Sequence, residues 1–216
     1  MLKKLFIKMS LNEFQKGLNH LKQNDPKLAS LILTYDKPNL TPHRKYFNLL
    51  LGAIIGQQLS ILAARSIKNR LFKYYRNNPT PEKIINTPDE TLRSFGLSNA
   101  KVQYVKDLSH KILNGKVRLK GLSKMTNDEI INELTKVKGI GVWSVHMFLI
   151  FVLARLDVLP TGDLGIRKAI MNNYKLKTLP DENKIKLIAK KNNWYPYYSI
   201  ASLILWHSLD NNRKMK

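Results

Sequence analysis

Lys138-Gly139-Ile140-Gly141 lies between two stretches of helical pattern, and two glycines one residue apart allow a tight hairpin with backbone angles closed to residues carrying a Cβ. Neither glycine has a side chain to hold a ligand off the main chain, and the N–H groups opening the next helix point outward as an anion site. A DNA phosphate fits such a site. The blander alternative is a helix-turn-helix corner with a glycine cap. A dinucleotide fingerprint is excluded, because no strand precedes the glycines and a third glycine is absent. Asp163 follows Gly141 by 22 residues. It ends the turn Pro160-Thr161-Gly162-Asp163, the best place in the chain for a cleft, and it precedes Leu164-Gly165-Ile166 as an N-cap would.

These residues need helices to place them. Thr126 and Glu129 form a capping box that opens a helix ending near Val137. A second helix, about 142–155, is apolar nearly all round through Trp143, Met147, Phe148, Ile150, Phe151 and Leu153, the mark of a buried helix. Ser10 and Glu13 make another capping box, with Leu11, Phe14, Leu18 and Leu21 on one face. Asp25-Pro26, Thr41-Pro42, Thr80-Pro81 and Thr87-Pro88 each set a capping side chain before a proline at the first helical position. Further helical patterns cover 60–75, 98–113, 164–173, 181–192 and 196–209. No segment alternates as a strand does, so an all-α fold of about eleven short helices is predicted. Two helical lobes are expected, one from residues 1–49 and 159–216, the other from 50–158 with a helix-hairpin-helix at about 127–155, and a cleft between them.

Charge names the partner class. Lys and Arg number 37 against 15 Asp and Glu, a net +22, which is the footprint of a polyanion binder. A lysine-rich compositional bias would raise Lys without making the acids so few. The absence of cysteine excludes disulfides, thiolate zinc sites, cysteine nucleophiles and cysteine-ligated clusters. His20, His43, His110, His146 and His207 show no paired metal spacing, so no metal site is assigned. The apolar run in MLKKLFIKMS is too short for a signal peptide, and nothing later approaches a spanning helix. A soluble intracellular protein, without a membrane partner, is expected.

KGIGVWSVHMFLIF, followed by LPTGDLGIRKA, resembles the helix-hairpin-helix DNA glycosylase superfamily. Three more stretches narrow the likeness to its alkylated-base branch, the 3-methyladenine DNA glycosylase II type. Ile54-Ile55-Gly56-Gln57-Gln58-Leu59-Ser60 is similar to the helix-end motif, Gly96-Leu97-Ser98 with Lys101 to the DNA-facing turn, and Trp194-Tyr195-Pro196-Tyr197-Tyr198-Ser199 with Trp206 to the C-terminal motif. The likeness spans about 42–209, with the front too short for the extra β-domain of longer relatives, as in a compact form.

The resemblance implies a base-excision repair enzyme that flips an alkylated purine from damaged duplex DNA and hydrolyses its N-glycosidic bond, acting as a monomer at the DNA. The transition state of glycoside cleavage gathers positive charge on the sugar. Asp163 is the carboxylate that would stabilise it and align the attacking water. Relatives that also cut the strand carry a Schiff-base lysine where this chain has Trp143, so a monofunctional enzyme leaving an abasic site is expected. Trp143, Trp206 and Met147 would line the base pocket, the indoles attracting a cationic base. The turn from Gln57 and Gln58 to Ser60 and the turn from Gly96 to Asn99 would face the opened step, one plugging the hole and one wedging the opposite strand; Asn99 holds the wedge position with Leu97 nearby, and which of them inserts stays open. Lys101, Lys136, Lys138, Gly139, Ile140 and Gly141 would meet phosphates. No cofactor is required, although the hairpin carbonyls of the family hold a monovalent cation. A non-catalytic helix-hairpin-helix module that grips duplex DNA is the alternative.

Overall fold

The computed structural model describes residues 11–33 and 43–214, so the caps expected at Ser10 and at Thr41-Pro42 lie outside the described residues. The fold is all-α. Twelve α-helices occur among the described residues: α1 (Leu11–Asn24), α2 (Pro26–Ile32), α3 (Tyr46–Gly56), α4 (Ile61–Tyr74), α5 (Pro81–Ile85), α6 (Asp89–Ser94), α7 (Asn99–Leu113), α8 (Asn127–Leu134), α9 (Val142–Phe151), α10 (Leu164–Asn173), α11 (Glu182–Lys191) and α12 (Tyr198–Lys214). The chain divides into two compact units, residues 1–42 with 149–216, and residues 43–148. The division falls within α9, between residues 148 and 149.

In the second unit α3 packs on α4 and α7, and α5 and α6 pack on α7. The caps are local chemistry: Ser60, Thr80, Ser98 and Thr126 each accept the backbone N–H three residues on, and Thr126 with Glu129 completes the capping box. Thr87 does not cap. Pro88 occupies the N-cap position of α6, while the Thr87 hydroxyl donates to Lys83 O at 2.7 Å and meets the Tyr75 hydroxyl at 2.7 Å. Helix α8 stops at Leu134, three residues short of Val137.

The first unit buries α1, α2, α10, α11 and α12 around Leu21, Leu28, Ile166, Ile170, Trp194 and Ile204. Asp25 locks it. Its Oδ1 accepts Lys27 N (2.9 Å) and Leu28 N (3.2 Å) as the cap of α2, and its Oδ2 accepts Trp194 Nε1 (2.7 Å) and the Tyr174 hydroxyl. The carboxylate is fully buried, and these four donors offset the cost of removing it from water. Helices α10 and α11 end on Lys175 and Asn193, both at positive φ, with Leu176 N returning to Met171 O and Trp194 N to Ala189 O. Helix α9 ends at Phe151 instead of Arg155, because Ala154 takes φ +51° and Arg155 N turns back to Leu149 O (2.9 Å).

Candidate functional site

The second unit holds a cavity of about 770 Å³ walled by the end of α3, the start of α7, the 138–141 hairpin and the first turns of α9. Gln57, Gln58, Lys101, Gly139, Trp143 and Met147 all line it, so the structure brings six of the expected residues together. Trp143 is half exposed on that wall.

Helix α3 has no side chain of its own to cap its last carbonyls. Lys101, 46 residues from Ile55, supplies the cap, its ammonium donating to Ile55 O and Gln57 O at 2.8 Å each. Burial pushes the amine below the ordinary lysine value. Its ammonium is thus spent on the turn, where the sequence suggested a phosphate contact. Gln57 donates from Nε2 to Gly139 O at 2.7 Å, which ties the turn to the hairpin, and Gln58 takes φ +56°. Beyond Ser60, Ile61 and Leu62 stand 86% and 78% exposed, and Leu59 lines the cavity. Sequence reasoning passed over Ile61 and Leu62, although both fall off the face that Ile67 and Leu71 bury.

On the α7 side Leu97 is only 4% exposed, a core residue that cannot wedge a duplex. Asn99 is exposed and accepts Arg93 Nη1 at 3.2 Å.

The hairpin is held from α7. Gly139 adopts φ +81° with its Cα against the Tyr104 ring, where a Cβ would come within 2.3 Å of Cδ2. Gly141 differs, for a Cβ there meets nothing within 4 Å and its φ is not in the left-handed region, so only the first glycine needs glycine's conformational freedom. Asp107 accepts Lys138 N and Lys111 Nζ, both at 2.7 Å. Burial alone would raise the Asp107 carboxyl, but these hydrogen bonds and the two lysine charges hold it below the usual carboxylate range. Lys138 N is thereby occupied, whereas the opening N–H groups of α9 have no acceptor within their own helix. Ile140 is buried and anchors the hairpin through Ile140 N to Val137 O at 3.1 Å. Lys136 pairs with Glu133 at 2.5 Å. Tyr104 and Asp107 were invisible to motif reading, since their roles exist only across the turn.

Asp163 and Trp206 belong to the first unit. Asp163 caps α10, its Oδ1 accepting Ile166 N at 2.8 Å and Trp206 Nε1 at 2.8 Å, and it is 8% exposed. Phe151 stacks on Trp206 with centroids 5.9 Å apart and planes 27° from parallel. The preceding loop is fixed by Thr161 donating to Glu182 Oε2 (2.8 Å) and by Asp163 N donating to Pro160 O (3.0 Å). The chemistry available is that of a carboxylate oriented by two N–H donors and flanked by an aromatic stack.

Among the described residues no group of three or more His, Asp or Glu could hold a metal ion, and no helix is long and apolar enough to cross a membrane.

An all-helical chain with a glycine hairpin braced from a neighbouring helix and an N-capping aspartate after the second hairpin helix has the make-up of a helix-hairpin-helix protein. The chain belongs to the HhH-GPD superfamily of base excision DNA repair proteins, whose model matches residues 51–193. It is 30% identical over 209 residues to the alkylbase DNA glycosidase-like protein mag2 of Schizosaccharomyces pombe, covering 94% of this chain and 97% of that one. It is 34% identical over 202 residues to DNA-3-methyladenine glycosylase 1 of the same yeast, covering 91% and 87%. Among solved structures it is similar to S. pombe 3-methyladenine DNA glycosylase (Mag1) in complex with abasic DNA, with a TM-score of 0.75 and 31% identity over 88% of this chain and 95% of that one.

Proposed function

We propose that the chain is a monofunctional DNA glycosylase that flips alkylated purines of the 3-methyladenine and 7-methylguanine type out of duplex DNA and hydrolyses their glycosidic bonds. The observation that carries this reading is the Asp163 carboxylate, buried to 8% exposure yet held by Ile166 N and Trp206 Nε1. Two fixed donors at the N-terminus of α10 define its direction. A fixed anion beside the sugar stabilises the oxocarbenium-like transition state without reorganising at the moment of bond breaking. The names of the relatives, 3-methyladenine glycosylases and an alkylbase glycosidase-like protein, support the same substrate class for this chain.

Binding places phosphate at the 138–141 hairpin, with the exposed Lys138 side chain adding charge. Opening the duplex costs about a few kcal/mol of unstacking, and the exposed Gln58 to Leu62 segment fills the vacated step, with the exposed Asn99 as the wedge in place of the buried Leu97. Trp143 and Met147 give the cavity an apolar wall that accepts a flat, positively charged base. Trp143 is no amine, so no Schiff base forms and the strand stays intact. Main-chain carbonyls of the 137–141 hairpin would be the groups to hold a monovalent cation, which would supply further positive charge for a phosphate. The protein works as a monomer inside the cell.

The test is a methylated duplex incubated with the protein. Free 3-methyladenine and 7-methylguanine are expected in solution, with the strand unbroken until alkali is added and no borohydride-trapped adduct. Tight duplex binding without base release would instead make the chain a gripping module.

A further inference from the structure

We propose that Trp206 is a positioning residue for the catalytic carboxylate, acting through its indole N–H rather than only through its ring face. The inference rests on Asp163 being the catalytic acid. Trp206 Nε1 donates to Asp163 Oδ1 at 2.8 Å across 43 residues of sequence, on the same oxygen that accepts Ile166 N at 2.8 Å. The cap comes from the residue's own helix and holds Oδ1 from one direction. The second donor, arriving from α12, holds the same oxygen from another direction, and a hydrogen bond in so nearly dry a site is strengthened.

The backbone is shaped for this contact. A Cβ at Gly165 would lie 2.9 Å from Asp163 Oδ1, 3.0 Å from Trp206 Cδ1 and 3.1 Å from Trp206 Nε1. Gly165 lies in the first turn of α10, where glycine lowers helix stability relative to alanine, so its presence needs another reason. That reason is space: only a residue without a side chain lets the indole lie over the turn and reach the carboxylate. Phe151 backs the far side of the stack at 5.9 Å and keeps the indole from tilting away.

An interaction that orients the reacting group acts on the rate of the chemical step and not on DNA affinity. The experiment uses the full chain on a methylated duplex under single-turnover conditions with enzyme saturating, and measures affinity for an abasic duplex and thermal melting in parallel. Trp206→Phe keeps an aromatic face and removes the donor. The expected result is a fall of roughly 10- to 100-fold in the base-release rate with affinity changed less than about twofold. An unchanged rate, or a loss confined to affinity, overturns the proposal and returns Trp206 to a stacking role. Should Trp206→Phe not fold, Gly165→Ala is read in its place: it keeps both groups and forces them apart, and the same fall in rate is expected, with a wild-type rate overturning the idea. Asp163→Asn is run alongside. If that variant releases base normally, the catalytic reading itself fails and the proposal with it; if it is inactive while Trp206→Phe is fully active, only the role of Trp206 fails.

Discussion

The two hairpin glycines carry opposite predictions. Gly139→Ala must place a side chain at φ +81° and drive its Cβ to between 2.3 and 2.6 Å from the Tyr104 ring. The left-handed backbone costs roughly 1–2 kcal/mol for an L residue, and the overpacked contact adds about 1–3 kcal/mol as the ring is pushed aside. The expected loss is about 3 kcal/mol, or roughly 6–12 °C in Tm for a chain of this size. Gly141→Ala meets nothing within 4 Å, so its stability should stay within about 0.5 kcal/mol of wild type. A phosphate seated on the start of α9 would feel that added methyl, and duplex affinity should fall about tenfold, near 1.4 kcal/mol.

Denaturant unfolding and fluorescence anisotropy on a labelled abasic duplex measure the two quantities separately. A Tyr104→Ala background refines the test, because there Gly139→Ala meets no ring and should cost only its backbone component. Gly139→Ala costing under about 1 kcal/mol, or costing the same with and without the ring, would refute the reasoning for that glycine. Normal duplex affinity for Gly141→Ala would show that no ligand approaches the second.

Lys101→Met removes two hydrogen bonds to the end of α3 and should lower stability by roughly 1–2 kcal/mol, a value discounted for the partial exposure of the amine. Because burial lowers the Lys101 pKa, the unfolded chain binds that proton more tightly, so the group's contribution rises as pH climbs from the lowered pKa to 10.5; the stability gap between wild type and Lys101→Met should widen on that limb. Tyr174 behaves with the opposite sign. Burial, then its bond to Asp25, raise its pKa above the ordinary 10.0, so its contribution is fully present below pH 10.0 and is lost above it; Tyr174→Phe should cost about 1–2 kcal/mol at neutral pH and flatten the alkaline decline in a urea titration series. Lys138→Gln leaves the main-chain bond to Asp107 in place, and the slope of log affinity against log salt should become shallower by about 0.9.

Much of this architecture is legible residue by residue because capping is local chemistry. Ser60, Ser98, Thr126, Asp163 and Asp181 each announce a helix start within three residues of the N–H they accept. Helix ends are harder. Ala154, Lys175 and Asn193 take positive φ without being glycine, so α9 runs only to Phe151 although its apolar pattern continues through Leu153. The expected site residues were recoverable as types, but their partners were not. Lys101 looks like a phosphate contact until Ile55 O and Gln57 O are found on its ammonium, and Leu97 looks like a wedge until the core closes over it. Tyr104, Asp107 and Gly165 act on residues 35, 31 and 41 positions away, or on neighbours bent back by a turn, and no periodicity reports such contacts.

The central claim is that the Asp163 carboxylate meets the positive charge that develops on the deoxyribose. Asp163→Asn retains the shape of the side chain and an oxygen for the Ile166 and Trp206 donors while removing the charge. Single-turnover release of 7-methylguanine from a methylated duplex by this variant, with abasic-duplex affinity measured beside it, is the direct measurement. The account predicts a rate lower by roughly 100-fold or more with affinity preserved; release at the wild-type rate would contradict it.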